Sequence, residues 1–260
     1  MMERNKELRL AVLIDADNVP YANIKDMLEE ITKYGTPTFK RIYGDWTKPN
    51  LSGWKNVLLE NAISPIQQYS YTQGKNSSDS ALIIDAMDIL YTGNVDGFCI
   101  VSSDSDFTRL ATRLREAGMQ VYGIGERKTP GAFIASCNKF IYIEILKKEN
   151  KHESSTARKP KKEYNKADPE PAKEESTSVA KVDKNLAKLI TDSINDNSEE
   201  DGWIFLGLLG SMILKKKPDF DSRNYGYKKL IDLIRHIPDI EIDSRPTSKG
   251  NVTHFYVRTQ

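Results

Sequence analysis

Apolar residues in the first 146 positions fall into short runs: "LRLAVLI", "PTFKRIYG", "PIQQYSY", "GFCIVS", "QVYGIG" and "KFIYIEI". Between them lie "YANIKDMLEEITKY", "LSGWKNVLLENA", "SDSALIIDAMDILY", "DFTRLATRLREAG" and the shorter "GAFIASC". Several of these intervening stretches space apolar residues three and four apart, as Leu110, Leu114 and the alanines around them do, which predicts helices with one buried face. Strand–helix alternation of this kind predicts an α/β domain, a doubly wound parallel sheet with helices on both faces. Right-handed crossovers then place every strand C-terminus on one edge. Sites on such sheets form at that edge, beside the switch in strand order.

Polar residues collect at this predicted edge. Asp15, Asp17 and Asn18 follow the first run in "AVLIDADNVP", and Asp104 and Asp106 follow the fourth in "CIVSSDSDF". In a 3-2-1-4-5 order those two strands are neighbours. Asp79, in "GKNSSDSALIIDAM", opens the helix that leads into strand four and faces the same edge. Each acid alone has a structural reading: Asp17 or Asn18, Asp106, and Ser78 or Asp79 are each placed to cap a helix N-terminus. Together they exceed what capping needs, and like charges from three segments repel unless cations compensate. A cluster of Asp without His or Cys is a hard-oxygen site suited to Mg²⁺ or Mn²⁺. Metal-assisted attack of water on a phosphodiester is the chemistry that follows. A dehalogenase-type phosphatase, with Asp15 as nucleophile and Asp17 as acid/base, is an alternative. The acid spacing in "SSDSDF" is narrow for that family. A dinucleotide-binding domain lacks support, because no G-x-G-x-x-G follows the first strand.

Composition changes the picture beyond residue 146. The segment "KKENKHESSTARKPKKEYNKADPEPAKEESTSV" has one aromatic residue, three prolines and mixed charge. It buries too little apolar surface to offset the entropy of ordering, so residues 147–180 predict a flexible linker between two domains. The net charge is +1, with 16 basic against 18 acidic residues in 1–146, and 13 against 12 in 181–260. Any contact to a polyanion must therefore come from local patches. Two cysteines, Cys99 and Cys137, and three histidines show no zinc spacing. No segment reads as a signal peptide or membrane span, and the expectation is a soluble cytoplasmic protein without a membrane partner.

Residues 181–260 predict three helices, "VDKNLAKLITDSIND", "WIFLGLLGSMILKKKP" and "SRNYGYKKLIDLIRHI", with Leu230, Leu233 and Ile234 facing inward. Two strands, "IEIDSR" and "HFYVRT", then form a hairpin, which completes a winged helix.

The stretches "LIDADN", "GKNSSDSALIIDAM" and "IVSSDSDFTRLATRLREAGMQVYGIG", in that order, resemble the NYN domain of the LabA-like group, relatives of the PIN nucleases. The resemblance covers residues 8–146. It implies a PIN-like fold and metal-dependent ribonuclease activity, with Asp15, Asp79 and Asp104 as the metal-site acids. Asp106 would be a fourth acid or a partner behind them, and Asn18 would orient Asp15 or a metal-bound water. Asp85 also matches the family pattern, but six residues along a helix from Asp79 it points elsewhere and reads as structural. Ser102, Ser103, Lys75, Arg127 and Lys128 lie in loops on this edge, as phosphate contacts or as ordinary polar loop groups. Tyr43 and Trp46 either stack a base or pack their loop.

The C-terminal stretch, from its tryptophan opening through Gly210, the Lys-Pro-x-Phe-Asp turn and Tyr-Gly-Tyr-Lys-Lys-Leu, resembles the LOTUS or OST-HTH domain. That resemblance implies binding of single-stranded or structured RNA, and a protein partner for some members. A homodimer is left open. Lys215, Lys216, Lys217, Arg223, Lys228 and Lys229 form the expected basic face, with Tyr225 or Tyr227 nearby, and Arg245 and Lys249 on the wing. Tyr227, three before Leu230, reads as core. The combined expectation is a metal-dependent ribonuclease with a tethered RNA reader that raises local substrate concentration. An RNA-binding adaptor without turnover is the alternative.

Overall fold

The computed structural model describes residues 7–69, 77–146, 182–246 and 253–260. The expected linker, Lys75 and the wing residue Lys249 lie outside them.

The N-terminal domain is built on six strands: β1 (Arg9–Asp15), β2 (Thr36–Gly44), β3 (Ser64–Gln67), β4 (Gly97–Val101), β5 (Gln120–Gly125) and β6 (Lys139–Tyr142). They pair in the order β3-β2-β1-β4-β5-β6, every pair parallel. The order reverses between β1 and β4, so the switch point lies where the acids were expected. Five helices connect the strands: α1 (Ile24–Thr32), α2 (Trp54–Glu60), α3 (Ser77–Thr92), α4 (Thr108–Glu116) and α5 (Gly131–Ser136). The sixth apolar run ends early as a strand. After Tyr142 the chain turns helical over 143–146.

Alternation along β1 splits the core in two. Leu10, Val12 and Ile14 face one layer with Ile24, Met27, Ile31 and Trp54 from α1 and α2. Ala11 and Leu13 face the other, with Leu82, Leu110 and Phe133 from α3, α4 and α5. Asp15 continues the odd positions, so strand periodicity aims it toward the α3 and α4 layer. Asp85 does not face the cluster. It pins α3 to β2 by pairing with Arg41 and the Tyr43 hydroxyl.

The C-terminal domain contains α6 (Lys184–Asn197), α7 (Leu206–Lys216) and α8 (Leu230–Ile234) around their own core of Ile190, Leu209, Ile213, Leu233 and Val257. Two expectations change here. The expected second helix starts with a two-residue strand, β7 (Ile204–Phe205), which joins β8 (Ile240–Pro246) and β9 (Thr253–Thr259) in a β7-β9-β8 sheet. The expected third helix is broken as well. Residues Ser222–Tyr225 form a 3-10 turn, and Gly226 follows at φ 87°, a left-handed conformation that ends helical propagation. Only Leu230–Ile234 is α-helical in that stretch. The two domains also touch each other. Among the described residues, Arg223 pairs with Glu30 and Pro218 with Phe140.

Candidate metal centre at the carboxyl edge of the sheet

Asp15 ends β1 and is almost fully buried, 1% exposed. Its two oxygens are spoken for. One accepts from the Asp17 amide at 3.1 Å; the other accepts from Asn18 Nδ2 at 2.7 Å and Ser102 Oγ at 2.8 Å. Ser102, just past β4, also accepts from the Asp104 amide at 3.1 Å, so one hydroxyl ties the ends of β1 and β4 together. Burial raises the Asp15 pKa, and the hydrogen bonds from Asn18, Ser102 and Asp17 pull the other way.

Of the expected metal-site acids Asp15, Asp79 and Asp104, the last two converge, and Asp15 lies close enough for its charge to raise the Asp79 pKa. Among the described residues, the structure gathers Asp79, Asp104 and Asp106, with one oxygen of each within 4.8 Å of the others. Asp79 sits in the first turn of α3, where the helix dipole favours an anion. Asp104 caps the 3-10 turn Ser105–Phe107 by accepting from the Asp106 amide at 2.9 Å. That turn carries Asp106 around to the same side. The capping role expected of Asp106 thus falls to Asp104, while the 3-10 turn Tyr21–Asn23 and α1 after it start at Pro20 and Asn23 without a side-chain cap from Asp17 or Asn18. Asp17 instead accepts from Ser78 Oγ at 3.5 Å.

Among the described residues, the charges that act on Asp79 are carboxylates. Burial and then the charges of Asp15, Asp104, Asp106 and Asp17 push the Asp79 carboxyl up to about 7. Four like charges hold a proton where a cation would serve. An all-carboxylate donor set with raised proton affinity fits a hard divalent cation such as Mg²⁺ or Mn²⁺.

The surrounding loops are locked by short contacts. Ser103 accepts from the Glu126 amide at 2.8 Å, which joins the ends of β4 and β5. A Cβ on Gly125 would stand 2.6 Å from the Ser102 carbonyl, so only glycine allows this approach. Arg127 is exposed, with its guanidinium over the Tyr142 ring at 5.4 Å. Exposed Lys128 pairs with Glu126 at 2.6 Å. Tyr43 is fully buried and stacks no base, and Trp46 packs its loop with Nε1 donating to the Ile66 carbonyl at 3.0 Å.

The expected basic face divides. Lys215, Lys228 and Lys229 are exposed. Lys216 pairs with Asp196 at 2.9 Å and Lys217 with Asp219 at 3.2 Å. Arg223 is not on that face: its side chain is 16% exposed and engaged by Glu30 and Asp221. Tyr225 is half-buried against Phe220, and Tyr227 packs on the same core. On the wing, Arg245 pairs with Asp243 at 2.8 Å and lies over the Tyr256 ring.

A family model for the NYN domain matches residues 9–144, just over half of the chain and the whole of the sheet that carries these acids. The chain belongs to the NYN domain family. A second model, for the OST-HTH/LOTUS domain, matches residues 177–252. The sequence therefore joins an NYN domain to an OST-HTH/LOTUS domain. Among solved structures, VPA0982 from Vibrio parahaemolyticus, a protein of unknown function, is similar at 20% identity and a TM-score of 0.46, over 55% of this chain and 96% of that one. An uncharacterized protein from gene locus NE0665 of Nitrosomonas europaea is similar at 28% identity and a TM-score of 0.28, over 38% of this chain and 92% of that one. No curated protein matches the chain. Within the described residues, no helix is long and apolar enough to cross a membrane.

Sequence reasoning missed Glu30. It lies on the buried face of α1, three after Met27 and one before Ile31, and is 2% exposed. A carboxylate at an apolar position of a helix repeat was the available signal.

Proposed function

We propose that this protein is a divalent-metal-dependent ribonuclease, in which the NYN domain cuts RNA delivered by the LOTUS domain. The observation that carries this reading is the crowding of Asp79, Asp104 and Asp106 within 4.8 Å at the switch point, on the same chain as a LOTUS domain. These three carboxylates would hold Mg²⁺ or Mn²⁺. Such a cation, when bound, polarises a phosphoryl oxygen and lowers the pKa of water. The chain's own residues preset the geometry. Asn18 and Ser102 fix Asp15, and Ser102 links it to the Asp104 backbone, so the charge behind the cluster cannot rotate away. Arg127, exposed after β5, would hold a backbone phosphate. Lys215, Lys228 and Lys229 supply sequence-independent affinity.

The test is cleavage of end-labelled single-stranded RNA by the purified chain with Mn²⁺, Mg²⁺ or EDTA, beside Asp104→Asn. Cleavage that needs the metal and disappears in the variant is expected. Retained RNA binding with no cleavage under any metal overturns the nuclease reading and leaves an RNA-binding adaptor.

A further inference from the structure

Neither α1 nor the outer edge of β6 takes part in the chemistry above, yet both carry polar groups that reach into the LOTUS domain. β6 is the last strand of its sheet, and an open strand edge presents unpaired backbone groups. Here the Phe140 amide donates to the Pro218 carbonyl at 2.9 Å. Two residues along, the Tyr142 hydroxyl donates to Asp219 at 2.9 Å. Proline suits this position, because the contact asks it only to accept.

The third contact is ionic. Arg223 grips Glu30 with two nitrogens, at 3.0 and 2.7 Å, and grips Asp221 of its own domain with two more bonds, at 3.0 and 2.8 Å. Glu30 also accepts from Lys33 at 2.7 Å and from the Tyr34 hydroxyl at 3.0 Å. The Lys139 ammonium stands over the Tyr34 ring at 4.9 Å, and Tyr34 stacks on Tyr122. Charges thus alternate across the boundary, and both carboxylates meet a planar guanidinium through paired bonds. Relative motion is the default for two domains in one chain, but a buried charge cannot leave its partner without a large cost.

We infer that the LOTUS domain is latched onto the NYN domain as one rigid body, with residues 217–223 seated along the β6 edge and Glu30 as the socket for Arg223. The occupant of that edge is the chain's own C-terminal domain. Tethering then does more than raise local concentration, since it sets the orientation of the exposed lysines relative to the acid cluster.

The experiment is ¹⁵N relaxation on the full chain without metal or RNA, so its result is independent of the nuclease reading. Both domains are expected to share the rotational correlation time of a single 29.5 kDa particle. In Arg223→Ala the LOTUS domain is expected to tumble about twofold faster, as its smaller size dictates. Its core resonances at Leu209, Ile213 and Val257 should stay in place. If that variant disturbs its own fold, Glu30→Gln and Tyr142→Phe weaken the same latch from the NYN side. Independent tumbling in the wild type overturns the inference. So does a correlation time of twice the mass that falls on dilution, because the occupant is then a second copy. Unchanged shared tumbling in Arg223→Ala and Glu30→Gln alike overturns the assignment of the latch to this pair.

Discussion

Two buried acidic sites in this molecule behave in opposite ways. Glu30 is enclosed, and burial by itself would push its carboxyl up. Hydrogen bonds and charge from Arg223 and Lys33 overcome that and hold it at about 2. Asp79 is enclosed to a similar degree, but its neighbours are Asp15, Asp104, Asp106 and Asp17, and its carboxyl rises to about 7. Burial alone therefore does not decide which way a carboxylate's pKa moves. The difference lies in the sign of the neighbouring charge. At Glu30 the neighbours are cationic, and the site joins two domains. At Asp79 the described neighbours that shift it are carboxylates, and a divalent cation would bring the opposite charge.

Removing a carboxylate from the acid cluster should have the largest effect. Asp104→Asn should lower metal-dependent RNA cleavage by at least about 100-fold, since even groups behind the ligands cost 10–100-fold in metal sites. Single-turnover rates at saturating Mn²⁺ check this, and RNA binding by the same variant should be unchanged. Breaking the compensated site should act on stability instead. Arg223→Ala should cost about 3 kcal/mol, the lower end for a broken buried pair, because Glu30 keeps Lys33 and Tyr34. Urea unfolding of wild type and variant reads this directly, and cleavage by the folded variant should remain metal-dependent.

Ser102→Ala sharpens the comparison from behind the cluster. It frees Asp15 and the Asp104 backbone together, and should weaken Mn²⁺ affinity by about 10–100-fold. Titration calorimetry would measure that, and an unchanged affinity would remove Ser102 from the positioning role. The pH responses of the two sites should run in opposite directions. Asp79 has its folded-state pKa raised above the usual 3.8, so the metal-free fold is favoured below that value and loses this contribution as pH climbs to about 7. Mn²⁺ affinity should accordingly rise by up to about tenfold per pH unit toward 7 and flatten above it. Glu30 has its folded-state pKa lowered, so its contribution is present above 4.5 and disappears as pH falls toward about 2. Thermal melts with and without Mn²⁺ across that range separate the two. The smallest effect belongs to the exposed lysines. Replacing Lys228 and Lys229 by Ala should weaken RNA binding and reduce the slope of log affinity against log salt by about 1.4, two single-strand phosphate contacts.

Local pattern made much of this legible. The six apolar runs of the N-terminal domain became six strands because their periodicity and the helices between them leave one economical topology. That topology brings β1 and β4 together, and with them Asp15 and Asp104. The same reasoning placed Asp79 on the cluster, since a helix that leads into β4 must start at the carboxyl edge. Pattern could not decide which acids meet. Asp106 enters the trio because a 3-10 turn capped by Asp104 rotates it there, while Asp15 stands behind it, held by Asn18 and Ser102. In the C-terminal domain, Trp203–Phe205 had the composition of a helix start, and cross-strand pairing with Tyr256 and Val257 overrode it.

The amino-acid sequence by itself determined the two domains, the parallel α/β class and the edge on which the acids gather, because hydrophobic periodicity and chain chirality are properties of local segments. Only the tertiary structure decided the pairing of charges. Arg223 reads as one more basic residue in a row of lysines until Glu30, 193 positions away, is packed against it. Electrostatic energy depends on distance and on exclusion of water, and neither exists until separate segments have been brought together.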